Sequence, residues 1–159
     1  MHEFPDTVAI DVVILPPGPI MDMAIGANRI LLAGTPGGGI RLERGDCLPH
    51  ISVAMFPARR EDIPEITAKV DRIARRCSSM ALTIDTIAKH RVRTGETVSV
   101  FHIPRPEILQ LFHKTVMNAI TPYTAPPAGP GMFAGEASAS SLDCLLRFPK
   151  TSAYERYSP

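Results

Sequence analysis

The chain has 159 residues, of which 45% are apolar and 21% are charged. This length allows one ordinary domain or two small packed lobes, and the composition excludes a disordered or fibrous protein. Seventeen Lys and Arg residues nearly balance sixteen Asp and Glu residues, so we expect no tight binding of long duplex nucleic acid, whereas a small anionic ligand is compatible with this charge.

The cysteines and the N-terminal sequence bear on where the protein works. Cys47, Cys77 and Cys144 are odd in number, far apart and without a C-x-x-C pair, so neither a disulfide framework nor a zinc site is predicted, and a reducing cytoplasm is the expected location. The sequence MHEFPD has no basic region, and the apolar run that follows it is short and interrupted by Asp11. We therefore predict no signal peptide, no membrane span and no membrane partner.

The first third of the sequence alternates strand and helix signals. Residues 8–15 are short, apolar and β-branched and stop at Pro-Pro-Gly-Pro, which predicts a buried strand. Residues 20–32 have helical spacing, with Gly34 as the stop. The loop GTPGGG then leads to predicted strands at residues 40–42 and 49–56. The apolar side predicted for the helix consists of Ile20, Met23, Ala24, Ala27 and Leu31.

The clearest helix of the chain lies in RREDIPEITAKVDRIARRC. Asp62 precedes Glu65 by three positions, which is a helix start signal, and apolar residues follow at helical spacing. Those residues are Ile63, Ile66, Val70, Ile73 and Cys77. Beyond this helix, residues 80–88 and 97–103 predict an antiparallel hairpin with its turn at residues 94–96.

A third helix is predicted at residues 107–120, after Pro104 and Pro106. Its predicted apolar face consists of Ile108, Leu109, Phe112, Val116 and Ile120. Residues 121–141 are rich in Pro, Gly, Ala and Ser and predict a loop. The final stretch, LLRFPKTSAYERYSP, begins like a further strand and then stops, so we expect an interrupted sequence.

His50 and Ser52 lie two positions apart in the otherwise apolar segment CLPHISVAMFPAR. In a strand, alternate side chains share a face, so His50, Ser52 and Ala54 are expected on one face, with about 7 Å along the strand between imidazole and hydroxyl. One phosphate group can touch both, because histidine transfers protons near neutral pH and serine donates a hydrogen bond to phosphate oxygen. The opposite face, which would hold the strand to the core, consists of Ile51, Val53 and Met55.

The His-x-Ser pattern alone does not establish a site. His113 and Thr115 match it as well, but they lie in a predicted helix, where residues two apart point in different directions, and we interpret that match as accidental. In isolation, the pattern favours a core or edge histidine for His50. The loop GTPGGG lacks a following Gly-Lys-Ser/Thr and does not predict a phosphate-binding loop.

The order strand, helix, short strand, LPHISV, amphipathic helix, hairpin and helix resembles the 2H phosphoesterase superfamily, which includes RNA 2′-5′ ligases and 2′,3′-cyclic nucleotide phosphodiesterases. The local resemblances are CLPHISVAMFPAR, VSVFHIPRPEILQLFHKTV and FPKTSAYERYSP, which together extend over nearly the whole chain. This resemblance implies one α+β domain over residues 1–159, built as two lobes with antiparallel sheets flanked by helices. It also implies that His50 is an acid–base residue, that Ser52 holds the phosphate, and that no metal or other cofactor is needed.

The sequence departs from the family pattern at its C-terminus. Each lobe of the family contributes one H-x-[ST] motif, and the second typically follows aromatic-x-Pro, whereas this sequence stops at Tyr-Ser-Pro. We therefore expect a fold that lacks one or more C-terminal strands and has an unpaired sheet edge, which favours self-association. One positioned proton-transfer residue contributes about 10²–10⁴-fold, so with only one motif we expect weak or absent turnover.

The other histidines do not replace the second motif. Two positions after His102 stands Pro104, which has no hydroxyl, so His102 is interpreted as a core or groove-lining residue. His90 lies in KHRVR, where basic residues alternate, and a solvated hairpin is the favoured interpretation. No metal-ligating cluster is predicted.

Three interpretations stay open from the sequence. The first is a metal-independent phosphoesterase acting on 2′,3′-cyclic nucleotides or on RNA 2′-5′ or cyclic-phosphate ends. The second is a nucleotide- or phosphate-binding module without catalysis, and the third is a homodimer in which each copy supplies one His50. The expected ligand is a small nucleotide or an RNA end, and the aromatic candidates for contact with its base are Phe56, Phe101 and Tyr123.

Overall fold

A computed structural model of the chain describes residues 6–34, 39–95, 97–135, 137–157 and 159. These residues form four α-helices and two small antiparallel two-stranded sheets, which is the α+β class expected from the sequence. They divide into two compact units. The first unit takes in the described residues of Met1–Val12, Val53–Ala81 and Arg105–Ser158, and the second those of Val13–Ser52, Leu82–Pro104 and Pro159. The 2H phosphoesterase-like lobes and the missing C-terminal strands stay predictions.

The elements follow the chain in an order close to the expected one. The strands are Thr7–Ile14 (β1), Ile51–Arg59 (β2), Thr86–Arg91 (β3) and Thr97–His102 (β4). The helices are Gly18–Ala33 (α1), Ile63–Arg76 (α2), Glu107–Ile120 (α3) and Ala139–Thr151 (α4). β1 pairs with β2, and β3 pairs with β4 in an antiparallel hairpin. Within the described ranges, none of these helices is both long enough and apolar enough to cross a membrane.

Two expected strands are wrong, and two others differ from their predictions: β3 covers Thr86–Arg91 where the sequence predicts a strand over residues 80–88, and none of the residues of β1 is fully buried. Residues 40–42 form no strand, because the Ile40 carbonyl and the Leu42 amide bond the side chain of Asn28 instead of a neighbouring strand. The stretch beginning LLRF lies inside α4, which starts where the Ser138 hydroxyl accepts a hydrogen bond from the Ser141 amide at 3.0 Å. This bond satisfies one of the amides that a helix start leaves without a partner, and it favours helix over strand.

In the first unit, α2 packs the apolar stripe that its spacing predicts, whereas the buried stripe of α3 differs in part from the predicted one. In α2 the predicted residues are the less exposed ones, although Ile66 alone is fully buried. In α3 the predicted face is partly wrong, because Ile108 is exposed and the buried stripe includes a histidine. The buried residues of α3 are Leu109, His113, Val116, Met117 and Ile120.

The loop predicted at residues 121–141 runs partly along β2. The Ala125 amide donates a hydrogen bond to the Pro57 carbonyl at 2.8 Å, and Thr124 forms an isolated bridge with Ala58. Two short 3₁₀ turns, Thr121–Tyr123 and Pro130–Met132, precede α4, which takes the last residues of the predicted loop. Backbone pairing therefore fixes part of a segment whose composition predicts no regular structure.

His113 is the polar centre of the first unit. Its ring is fully buried, and Nδ1 donates a hydrogen bond to the Val53 carbonyl at 2.7 Å while Nε2 accepts one from the Tyr154 amide at 2.7 Å. Because a carbonyl can only accept and an amide can only donate, the ring is neutral with its proton on Nδ1. The Tyr157 ring stacks on it at 4.0 Å between centroids. His113, the histidine of the accidental His-x-Thr match, thus has a structural role.

The chain from Tyr154 to Tyr157 is held against α3 by side chains of that helix and of Arg105, two positions before its first residue. Arg105 donates to the carbonyls of Glu155 and Tyr157 at 2.8 Å each, and Gln110 donates to the Tyr154 carbonyl at 2.6 Å. Tyr154 has a φ of 54°, in the left-handed region that costs a non-glycine residue free energy. These bonds, together with the bond to His113, hold Tyr154 in that conformation.

The first unit should lose stability as the pH falls below the ordinary histidine pKa. Burial lowers the pKa of His113 below 6.5, and Lys114 and Arg105 lower it further against the opposing hydrogen bond to Val53. Between the folded pKa and 6.5 the unfolded chain binds more protons than the folded chain, so the free energy of unfolding falls as pH falls through this window. We expect lower stability at pH 5 than at pH 7.5 in urea titrations followed by tyrosine fluorescence, because all three tyrosines lie in this unit.

The variant His113→Gln tests this assignment. It should lose about 1–3 kcal/mol at pH 7.5, because a buried hydrogen-bonding group loses its partner, and its stability should depend less on pH than that of the wild type. The exposed His90→Gln variant is the matched control and should keep the wild-type pH dependence. An unchanged pH dependence in His113→Gln would contradict the assignment.

The second unit consists of α1, the β3–β4 hairpin and the segment between Gly39 and Ser52. The buried stripe of α1 consists of Met21, Ala24, Ile25 and Asn28, so the predicted stripe is wrong at Met23, which is exposed. The hairpin turn has Gly95 at a φ of 96°, in agreement with the predicted turn. Glu96, the last residue of that predicted turn, lies outside the described residues. Residues 35–38 of the GTPGGG loop also lie outside them.

Gly39 is required by a close approach to the hairpin. A Cβ atom at this position would lie 2.7 Å from the Thr97 carbonyl oxygen and 2.7 Å from Leu32 Cδ2. We expect Gly39→Ala to destabilise the second unit by about 1–3 kcal/mol, because a backbone atom must move to admit the methyl group. Hydrogen exchange of peptides from residues 82–104 measures this, and Gly45→Ala, where a Cβ meets no atom within 4 Å, is the matched control. Equal exchange rates in the two variants would refute the constraint.

Candidate functional site

The second unit contains a cavity of about 320 Å³, and every residue of its lining belongs to that unit. This volume is at the lower end of the range for small-molecule sites, so it suits one small organic group, such as a single base or nucleoside. Its walls come from α1, from the segment between Ile40 and Ile51 and from β4. Most of the lining is apolar, and representative residues are Pro16, Ile20, Leu42, Leu48, Ile84 and Phe101.

Among the described residues of the lining, four polar side chains interrupt the apolar surface. They are Asn28, Cys47, His50 and Ser99. Asn28 is fully buried and uses both ends of its amide, since Nδ2 donates to the Ile40 carbonyl at 3.0 Å and Oδ1 accepts from the Leu42 amide at 2.9 Å. Its Nδ2 also lies 3.4 Å from the Ser99 hydroxyl. Asn28 therefore fixes the cavity wall.

His50 lies at the cavity wall and is exposed to solvent. Its Nδ1 lies 2.6 Å from the Leu48 carbonyl oxygen, and because a carbonyl can only accept, Nδ1 carries a proton. In the neutral ring, the basic nitrogen is then Nε2. A histidine whose tautomer is fixed by a backbone carbonyl has the arrangement that general acid–base residues use.

The structure places His50 and Ser52 in different surroundings, although the sequence predicts one strand face for both. β2 begins at Ile51, so His50 precedes the strand, while Ser52 lies inside it and is half-buried. Pro49 has no amide hydrogen, and the carbonyl before it bonds the His50 ring, which delays the start of pairing. His50 and Ile51 belong to the lining of the cavity, whereas Ser52 lies outside that lining in the described part of the chain.

The expected core face of this segment is also different. Ile51 and Met55 are half-buried, and the fully buried residues of β2 include Val53, Ala54 and Phe56, which come from both faces of the strand. A strand that is covered on both faces cannot be divided into a core face and a functional face.

The three aromatic candidates fall in different places. Phe101 is half-buried and lines the cavity, so it is the candidate that shares a site with His50. Phe56 is 2% exposed in the core of the first unit, which leaves no ring face for a ligand in this conformation. Tyr123, also in the first unit, donates its hydroxyl to Glu65 at 2.6 Å, and the Lys69 amino group lies 5.6 Å from its ring. That hydrogen bond is the main cause of the raised pKa of Tyr123.

His102 is exposed and not a core residue. Its Nδ1 lies 2.6 Å from an Asp85 carboxylate oxygen, so the ring donates to the carboxylate. His90 is exposed on β3, as the sequence predicts. Within the described residues, no three side chains among His, Cys, Asp and Glu are grouped so as to hold a metal ion.

The electrostatic environment of the cavity disfavours charge on Cys47. Burial raises the pKa of the Cys47 thiol, and the neighbouring Asp46 raises it further. The thiol is therefore protonated at neutral pH and is not an activated nucleophile. Among the polar side chains of the described lining, His50 is the one of the residue type that general acid–base catalysis uses most often.

Asn28 is the site residue that sequence reasoning missed. It lies four positions after Ala24 and seven after Met21, on the buried stripe of α1. The signal available in the sequence was a single amide side chain at the helical period of an apolar stripe. A polar side chain buried at such a position requires hydrogen-bond partners.

No protein-family model matches the chain, and no curated protein and no solved structure matches it either.

Proposed function

We propose that the protein is a metal-independent phosphoesterase acting on 2′,3′-cyclic nucleotides or on RNA 2′-5′ or cyclic-phosphate ends. In this proposal the cavity holds the base or nucleoside, His50 transfers a proton to or from the reacting group, and Ser52 donates a hydrogen bond to the phosphate. The expected location, in line with the cysteine content, is the cytoplasm.

The observation that carries this proposal is the placement of His50. It is exposed at the wall of an apolar cavity of about 320 Å³, and its Nδ1 is bonded to the Leu48 carbonyl. An apolar cavity binds a base by burial of its faces, while a histidine beside it, with Nε2 as the basic nitrogen of its neutral ring, can exchange a proton with the attached phosphate ester. Phe101 in the same wall supplies an aromatic surface for the base.

A second candidate function is a nucleotide- or phosphate-binding module without catalysis. The observation that favours it is the composition of the cavity wall in the described residues, where His50 is accompanied by apolar side chains, a saturated amide, a hydroxyl and a protonated thiol. Such a wall supports binding with little acid–base chemistry. The two functions differ in whether nucleotide is converted.

Hydrolysis of 2′,3′-cyclic AMP in excess EDTA tests the proposal. We expect slow conversion to a nucleoside monophosphate by the wild type, and a loss of about 10²–10⁴-fold in His50→Ala, because one positioned proton-transfer residue contributes that much. Product formation is followed by chromatography over long incubations.

His90→Ala, prepared in parallel, is the matched control, because it removes an exposed histidine of the same unit that is not part of the described cavity lining. It should retain wild-type conversion, and a loss confined to His50→Ala then excludes a contaminating nuclease, which would be active in both preparations. Conversion that persists in His50→Ala, or that EDTA abolishes, contradicts the phosphoesterase. Binding of the nucleotide without conversion supports the binding module in its place.

A further inference from the structure

The outer strand of the hairpin carries two cations in register with β4. Lys89 lies opposite Ser99, and Arg91 lies opposite Thr97. Directly opposed residues of an antiparallel pair share a face, with Cβ atoms about 4.5–5.5 Å apart. Lys89 and Arg91 are both exposed, and because they are two positions apart they lie on the same face of β3.

One β4 residue of that face, Ser99, belongs to the cavity lining, to which Val98 and Val100 of the opposite face also contribute. The Ser99 hydroxyl lies 3.4 Å from the Asn28 amide nitrogen, and both residues line the cavity. Lys89 lies opposite Ser99, so it stands one strand further from the cavity than this lining residue, at the usual strand separation of about 4.8 Å. Arg91 follows on the same face, next to the turn, where its Nε donates to the Gly95 carbonyl at 3.2 Å.

Positive charge is concentrated on this part of the chain. Residues 85–96 contain three basic residues, Lys89, Arg91 and Arg93, against two acidic ones, Asp85 and Glu96 at the two ends of this range, whereas the whole chain has seventeen Lys and Arg against sixteen Asp and Glu. A lysine and an arginine about 6.7 Å apart along one strand face suit a phosphate, which accepts several charge-assisted hydrogen bonds. Next to an apolar cavity, such a pair fits a ligand with an apolar body and a separate anionic group.

We propose that Lys89 and Arg91 bind a second phosphate of the substrate, one that does not react. The identity of the ligand rests on the proposed function, in which the base or nucleoside fills the cavity and the reacting cyclic phosphate meets His50. The second phosphate is the 5′-phosphate, which in an RNA strand joins the terminal nucleoside to the rest of the chain. The preferred substrate is therefore a 5′-phosphorylated 2′,3′-cyclic nucleotide and not the unphosphorylated one.

Equilibrium binding of two probes tests this inference independently of catalysis. The probes are adenosine 2′,3′-cyclic phosphate with and without a 5′-phosphate, and calorimetric titration gives the ratio of their affinities. For the wild type we expect the 5′-phosphate to tighten binding about 10–100-fold, as charge-assisted hydrogen bonds to a phosphate do. In Lys89→Ala/Arg91→Ala this ratio should fall to about one.

The matched control is Arg72→Ala/Arg76→Ala, which removes two exposed cations from α2 in the first unit. It should keep the wild-type ratio, whereas an equal loss of the ratio in this control would mean a non-specific effect of net charge and overturn the inference. A wild-type ratio near one, a ratio retained in Lys89→Ala/Arg91→Ala, or no binding of either probe also overturns it.

The outcomes separate this inference from the proposed function. Conversion of cyclic nucleotide that requires His50, combined with no preference for the 5′-phosphate, supports the phosphoesterase and refutes the role of the two cations. A 5′-phosphate preference that depends on Lys89 and Arg91, without any conversion, supports the anion site and refutes the phosphoesterase.

Discussion

The side chain of Asn28 is the interaction on which the second unit and its cavity depend. From the buried stripe of α1 it bonds the carbonyl of Ile40 and the amide of Leu42, and it reaches the hydroxyl of Ser99 on β4. A helix, an irregular segment and a hairpin thus meet at one amide. Because an unpaired buried polar group costs about 1–3 kcal/mol, this arrangement admits few alternatives.

The first unit is organised in the same way around His113. A buried polar side chain on a helix bonds the backbone of a strand at Val53 and of an irregular segment at Tyr154. The two residues differ in one respect that matters, since an amide has no proton to gain near neutral pH and an imidazole does. Sensitivity to pH therefore resides at His113 in the core of the first unit, while the bonds that Asn28 makes in the second unit do not titrate.

An apolar cavity of this kind obtains its selectivity from its borders. Burial of apolar area is non-directional, so the lining alone accepts many small ligands of suitable volume. His50 at the wall and the cationic face of β3 beside it are directional, because protonated nitrogen atoms bind oxygen with defined geometry. An apolar lining with charged groups at its border agrees with a ligand that is part base and part phosphate.

The outer strand of the hairpin, β3, has a partner strand on one side and mostly exposed side chains. Within the described residues, β4 is the one strand that pairs with β3, and all side chains of β3 except that of Ala88 are exposed. An edge of this kind invites association with other strands, and charged side chains are the usual protection against it. Lys89 and Arg91 thus protect this edge from association with other strands, whatever ligand they bind. This explains why the sequence alone favours a solvated hairpin.

The sequence by itself determined the α+β class, the bounds of α3, the apolar stripe of α2 and the glycine turn of the hairpin, because these depend on local spacing and local backbone conformation. It also singled out His50. It misplaced the strand at residues 40–42, the stripe of α1 and the structure of the LLRF stretch, and it missed Asn28. Only the tertiary structure decided the conformation of residues 40–42 and the roles of Asn28 and His113, because the partners of these two side chains lie 12 to 71 residues away along the chain, and local spacing contains no information on such contacts.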